Sequence, residues 1–194
     1  MNIIPFNEFI RRYYSGEEFV IFDTETTGLN TFHDDIIEIG AKKWSREGKL
    51  ETFCELMWVN PNKISQGAWE VHQIPLADIE KAKKPEQVLA DFLTFAGDRT
   101  LVAHNIKFDY PILNSNLIRN GLKPYQNEHV ACSLVYAKEN HLPGKLSDLA
   151  GQLNVQTKKE SLHRALYDVD ILADVLDTFM KKHEPEELQY SLIL

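Results

Sequence analysis

Three short stretches far apart in the chain set acids and a histidine beside apolar runs: FDTETTGL at Phe22 to Leu29, HNIKFD at His104 to Asp109, and HRALYD at His163 to Asp168. Asp23, Glu25, Asp109, Asp168 and His163 are the groups in them that can do chemistry. Four carboxylates with one imidazole is the composition of a divalent-metal site. Asp23 and Glu25 follow Phe19 to Phe22, four apolar residues in a row of the kind that forms a buried strand, and side chains two apart on a strand share a face. Both carboxylates then project together. Two unit charges about 4 Å apart repel by on the order of 4 kcal/mol at an effective dielectric near 20, so a fold that gathers four such groups needs a cation, or shared protons, to offset the repulsion. All-oxygen ligation suits magnesium or manganese rather than zinc. An isolated Asp is ordinarily a solvated or turn carboxylate; three such segments in one chain call for more than that.

The elements that must position these groups are legible from spacing. Phe6 to Tyr14 reads as a short leading helix and Phe19 to Asp23 as the first strand. Ile36 to Trp44 and Glu51 to Val59 read as a second and third strand joined by the Arg46-Glu47-Gly48 turn, a meander of antiparallel neighbours that Pro61 ends. A mixed region runs through Trp69, His72 and Ile74 to Pro75. Glu86 to Ala96 has helical apolar spacing, and Leu101 to Ala103 is a short buried strand. After Phe108 a helix starts, with Pro111 tolerated in its first turn and Gly121 as its stop. Val130 to Cys132 is the last strand, and Leu134 to Glu139 and Lys145 to Leu153 are helices. The final helix runs from near Arg164 to about Lys182, with Leu166, Val169, Ala173, Leu176 and Met180 at three- and four-residue steps. Three meandering strands followed by βα units predict an α/β protein with a mixed five-stranded central sheet flanked by helices, the layout of the ribonuclease H-like fold.

Asp168 and His163 lie five apart, which on a regular helix turns a side chain by about 140°, so an unbroken helix cannot aim both into one site. The expected arrangement puts Asp168 in the helix and His163 on the segment before it, which begins at the polar run Gln156 to Ser161. A histidine over a metal platform suits a general base, since its unperturbed pKa near 6.5 lets it take a proton from water at neutral pH.

With these residues in place, the three stretches resemble the exonuclease motifs of the DEDD family, in the branch whose third motif carries a histidine five residues before its last aspartate. Their wording is similar to that of the epsilon-type (DnaQ-like) proofreading exonucleases of bacterial replicative DNA polymerase. The resemblance spans about residues 19 to 182 and fills all five catalytic positions. It implies a metal-dependent 3′-to-5′ exonuclease that releases nucleoside 5′-monophosphates from DNA 3′ ends, with two divalent cations, Mg2+ or Mn2+. Asp23, Glu25 and Asp168 would hold one ion, and Asp23 with Asp109 the other. By the same resemblance Thr26 and Thr27 should meet the terminal 3′ hydroxyl through their backbone, Leu29 should wedge against the last bases, and Asn105 and Phe108 should touch the terminal nucleotides. WEVHQIP resembles the family's loop with a His-Gly-Ile step, which makes His72 a nucleotide contact, although Gln73 stands where that glycine is usual. In ACSLVYAK, Cys132-Ser133 stands where many relatives carry Asp-Thr.

Length and composition agree with one compact enzyme domain, expected over residues 1–183, with a tail over 184–194. The chain has 194 residues, 43% hydrophobic and 10% aromatic, enough to bury one sizeable core, with no low-complexity boundary. No stretch approaches the roughly 20 apolar residues of a membrane span, which predicts a soluble, cytoplasmic protein. Cys54 and Cys132 lack CxxC spacing and read as reduced core residues. The net charge of −8 argues against tracking a long duplex and for gripping a few nucleotides at a single-stranded or frayed 3′ end. Lys42, Lys43, Lys81, Lys83, Lys84, Lys158, Lys159 and Arg164 are the candidate phosphate contacts, or else plain solvated charges.

The end of the chain, QYSLIL from Gln189 to Leu194, resembles the glutamine-plus-hydrophobic peptides that bind the bacterial sliding clamp. There Leu192 and Leu194 would enter an apolar pocket while Gln189 makes polar contacts; a tail folded on its own domain or pairing with a second copy is the alternative. Three functional readings follow. The first is a DNA-directed proofreading or repair exonuclease, working alone or with a polymerase. The second is an RNA-directed exoribonuclease or oligoribonuclease with the same metals. The third is an inactive nucleic-acid-binding scaffold, against which the intact acid set counts.

Overall fold

A computed structural model of the chain describes residues 1–48, 51–157 and 164–185. Its central strand, β2 (Phe19–Thr26), owes its place to the run FVIF, all four residues of which are fully buried. β2 pairs antiparallel with β3 (Ile36–Trp44), which pairs antiparallel with β4 (Thr52–Leu56). On its other side β2 pairs in parallel with β5 (Thr100–Ala103), β5 with β6 (His129–Cys132), and β6 with β1 (Asn2–Ile3). The order across the mixed sheet is therefore β1-β6-β5-β2-β3-β4. The five expected strands all form. The sixth, β1, is two residues long, too short for any alternation to announce it, and is held by Asn2 N–H to Glu128 O at 2.7 Å and Ile4 N–H to Val130 O at 2.9 Å.

The helices are α1 (Phe6–Tyr14), α2 (Gln66–His72), α3 (Leu76–Ile79), α4 (Pro85–Ala96), α5 (Ile106–Arg119), α6 (Ser133–Glu139), α7 (Leu146–Gln152) and α8 (Ala165–Lys182). Alternation along β2 divides the core between the two faces of the sheet. Phe19 and Ile21 pack with Trp44 and with Val169, Leu172 and Leu176 of α8, while Val20 and Phe22 pack with Val88, Leu89 and Phe92 of α4 and Ile112 and Leu113 of α5. Each of these side chains contributes roughly 1.5–3 kcal/mol by leaving water. Trp44 Nε1 also donates to Asp177 Oδ1 at 2.8 Å and Tyr14 Oη to Met180 O at 2.7 Å, so the far half of α8 is tied down as well as packed. The same parity, carried two and four residues further along β2, aims Asp23 and Glu25 at the α8 face and Thr24 at the α5 face.

Three expectations are corrected. α5 begins at Ile106 rather than after Phe108, so Pro111 lies in its second turn and has no N–H to give to the carbonyl of Lys107. Gly121 does stop the helix: at φ +75° it lets its own N–H reach Ile118 O at 3.1 Å and that of Leu122 reach Leu117 O at 2.9 Å. Cys54 is exposed, because β4 is an edge strand with an open face, whereas Cys132 is buried as expected; both are free thiols. The region before Pro75 resolves into α2, preceded by a 3-10 turn at Pro61–Lys63, with α3 starting just after the proline. Among the described residues no helix is long and apolar enough to cross a membrane.

Candidate active site

Asp23, Glu25 and Asp168 each offer a carboxylate oxygen lying within 4.8 Å of the other two. The first two come from the end of β2 and the third from the first turn of α8. Asp109 arrives from the first turn of α5, only 4% exposed, and its Oδ1 accepts from Thr24 Oγ1 at 2.9 Å. Three elements remote in sequence thus converge at one end of the central strand.

The electrostatics are those of crowded like charges. Burial pushes the Asp23 carboxyl well above its ordinary range, and the charges of Asp109, Glu25, Asp168 and Glu38 push it further. Burial raises Glu25 to about 8, with Asp168, Glu38 and Asp109 adding to the shift and Arg164 opposing it. Asp109 is raised to about 7 by burial, against the opposing hydrogen bond from Thr24. Among the described residues none of the ion pairs involves Asp23, Glu25 or Asp109. Oxygen-only donors crowded together in this way fit a hard divalent cation.

α8 can approach the strands this closely because of Gly40 on β3. A Cβ there would stand 2.4 Å from Leu166 N and 2.5 Å from the Ala165 carbonyl carbon, so backbone meets backbone. Two residues earlier on the same face, Glu38 accepts from the Ala165 N–H at 2.9 Å and from Arg164 Nη2 at 2.6 Å. Sequence reasoning passed over Thr24, Glu38 and Gly40. The signal was there for one of them: Glu38 is a lone acid in IIEIGA, an otherwise apolar strand, and an unpaired acid in such a strand is rare.

Beside Glu25 opens a cleft of about 350 Å³ between the end of β2, α2 and α5. Thr26, Leu29, His72 and Phe108 line it, together with Ala68 and Val71 of α2. Leu29 is 87% exposed, held at the rim. Thr27 and Asn105 are not brought to the cleft: Thr27 is fully buried with its N–H committed to Asp35 O at 2.9 Å, and Asn105 is an exposed residue at the start of α5. His72 is only 3% exposed, and burial lowers its pKa, so the ring is neutral. Its Nδ1 accepts from the Ile74 N–H at 3.0 Å, which leaves the proton on Nε2, a buried atom with no partner among the described residues. Gln73, in the position where the resembled loop carries glycine, ends α2 in the left-handed region at φ 50°. The backbone shape survives without the glycine, at a cost of about 1 kcal/mol.

Four of the eight candidate phosphate contacts are engaged by acids of the chain. Lys42 pairs with Asp170, Lys43 with Glu51 at 2.6 Å, Lys83 with Glu55 at 2.6 Å, and Arg164 with Glu38. His163, Lys158, Lys159 and the segment from Gln189 to Leu194 lie outside the described residues.

Comparison with known proteins agrees with this geometry. A family model described as an exonuclease (RNase T) matches residues 20–176. The PolC-type DNA polymerase III of Lactococcus lactis is 34% identical over 167 residues, covering 84% of this chain and 10% of that protein. That of Mycoplasma genitalium is 30% identical over 171 residues, covering 87% and 12%. The chain therefore spans about a tenth of the length of these relatives. Among solved structures, E. coli exonuclease I in complex with a dT13 oligonucleotide superimposes with a TM-score of 0.76 at 15% identity, over 90% of this chain and 43% of that one. A 3′-exonuclease that recognises a histone mRNA stem-loop does so with a TM-score of 0.70 at 16% identity, over 86% and 64%. At such identities the superpositions speak for the fold, and they bear out the ribonuclease H-like layout.

Proposed function

The chain belongs to the exonuclease family, and from that premise we propose that it trims DNA from the 3′ end in proofreading or repair, releasing nucleoside 5′-monophosphates. The observation that carries this reading is the convergence of Asp23, Glu25 and Asp168 within 4.8 Å beside the buried Asp109. Asp23, Glu25 and Asp168 would hold one divalent cation, and Asp23 with Asp109 a second, Mg2+ or Mn2+. When bound, such ions stabilise negative charge on the entering and leaving oxygens of a phosphodiester.

The chain's own side chains do the rest. His163 takes the proton of the attacking water and passes it to solvent, a role worth about 10²–10⁴-fold in rate. Phe108 and Leu29 pack against the terminal nucleotide, and Thr26 lies beside its 3′ hydroxyl. The His72 Nε2–H is set to donate to an oxygen of the terminal sugar or phosphate, which would give that buried group its missing partner. Asn105, exposed at the start of α5, touches the terminal nucleotide, and the Thr27 backbone lies beside Thr26 near its 3′ hydroxyl. The acidity of the chain suits a grip on a single-stranded or frayed end rather than on a duplex, and the PolC relatives make a polymerase a fitting partner in a cytoplasmic setting. The peptide from Gln189 to Leu194 is proposed to dock on a sliding clamp; removing it should weaken clamp binding, and unchanged affinity would end that idea.

A time course on end-labelled single-stranded DNA and RNA of equal sequence, with Mg2+, Mn2+ or chelator, tests the reading. Stepwise shortening from the 3′ end, faster on DNA and stopped by chelator, is expected. Faster trimming of RNA would transfer the proposal to an exoribonuclease, metal-independent cleavage would refute the metal-based mechanism, and absent cleavage would leave only a binding scaffold.

A further inference from the structure

β2 and β3 set Glu25 and Glu38 directly opposite one another, so a fifth carboxylate lies on the α8 face of the sheet beside the acids of the site. Glu38 is 1% exposed, yet both its oxygens are engaged. Oε1 accepts from Arg164 Nη2 at 2.6 Å, Nε of the same guanidinium lies 3.2 and 3.1 Å from Oε1 and Oε2, and Oε2 accepts from the Ala165 N–H at 2.9 Å. α8 has no capping side chain of its own. Glu38 therefore caps it from the neighbouring strand, an anion placed at the positive end of a helix. Gly40 removes the Cβ that would otherwise hold Ala165 and Leu166 away. Asp168 follows three residues after Ala165 in the same first turn, so its place relative to Asp23 and Glu25 is inherited from this attachment.

We propose that Glu38 and Arg164 are positioning residues: their ion pair fixes the first turn of α8, and with it the ligand Asp168, without either residue touching metal or substrate. Arg164 also follows His163 directly in the chain. The ion pair assigns Arg164 away from phosphate contact. Its guanidinium fork is spent on a buried carboxylate, a bidentate geometry that a lysine ammonium cannot reproduce. The inference rests on the proposed reaction for its kinetic consequences but not for its metal-binding ones.

The test uses the full chain with Glu38→Gln, Arg164→Met, the double variant and Arg164→Lys, thermal unfolding establishing that each is folded. Glu38→Gln keeps the shape and one acceptor for the Ala165 N–H, so it guards against simple misfolding. Mn2+ affinity is measured by calorimetry without nucleic acid, and kcat and KM on single-stranded DNA. Each single variant should bind Mn2+ several-fold more weakly and lose roughly 10- to 100-fold in kcat, with KM within about twofold, because an interaction made through Asp168 is lost rather than one with substrate. The double variant should be no worse than the poorer single, since the two residues act as one unit, and Arg164→Lys should recover only part of the loss. Unchanged Mn2+ affinity and kcat in folded Glu38→Gln would overturn the proposal. So would strictly additive effects, or a raised KM with unchanged kcat in Arg164→Met, which would return the arginine to phosphate. Should wild-type protein release no nucleotides, the reaction reading fails on its own while the Mn2+ arm still decides whether the Glu38–Arg164 pair positions Asp168.

Discussion

Glu25 and Glu38 face each other across one strand pair, are both buried, and have opposite fates. Glu38 is met by a guanidinium and a helix N-terminus, partners that the chain supplies. Glu25 is raised to about 8, first by burial and then by the charges of Asp168, Glu38 and Asp109, with Arg164 opposing. A buried carboxylate with a cation of its own holds structure in place; one surrounded by further carboxylates stores repulsion that an added divalent ion can relieve. The same fold builds both on one strand pair, and the second kind is where the proposed chemistry would take place.

That contrast can be broken in several places. Asp23→Asn keeps the shape and removes the charge at the centre of the crowd. Activity should fall by about 10⁴-fold, several kcal/mol of transition-state stabilisation, while thermal unfolding of the metal-free protein moves to higher temperature. A variant with more than about a hundredth of wild-type activity, or a lower melting temperature, would contradict the picture. The pH dependence follows from the same groups. Glu25 and Asp109 titrate near 8 and 7 in the folded protein and near 4 when unfolded, so the folded state holds extra protons between those limits. Metal-free stability should then fall as pH rises from about 4 to 8, and Mg2+ should raise the melting temperature more at pH 8.5 than at pH 6. Equal metal effects at both pH values would deny the coupling. On the paired side, Gly40→Ala drives a methyl into the start of α8. It should cost about 1–3 kcal/mol in a denaturant melt and reduce turnover, as overpacking does. Smallest is Gln73→Gly, which should stabilise by about 0.5–1 kcal/mol by relieving the left-handed backbone after His72; a loss of stability there would show that the Gln73 side chain contributes more than its backbone costs.

What sequence made legible was whatever rests on local pattern. The FVIF run announced β2, the three- and four-residue spacing announced α8 nearly to its ends, and the parity of Asp23 and Glu25 put both on one face. What stayed hidden depends on contacts between remote elements. β1 exists only because β6 is there to pair with it. Glu38 looks like a stray acid until Arg164, 126 residues away, is seen to reach it. Lys42, Lys43 and Lys83, candidates for phosphate contact, proved to pair with acids, and exposure of Cys54 follows from β4 being the sheet's edge, a fact of topology. Pro111 misled because a helix start was placed at the proline's tolerance limit, whereas α5 begins earlier at Ile106 and carries the defect inside.

The most direct test of the central claim is a calorimetric titration of Mn2+ into the protein at pH 8 with thymidine 5′-monophosphate present, repeated with Asp23→Asn. Two ions per chain in the wild type, with binding weakened about 100-fold or more in the variant, is the predicted result. No uptake, or uptake indifferent to Asp23, would mean that these carboxylates are not the metal platform of the enzyme.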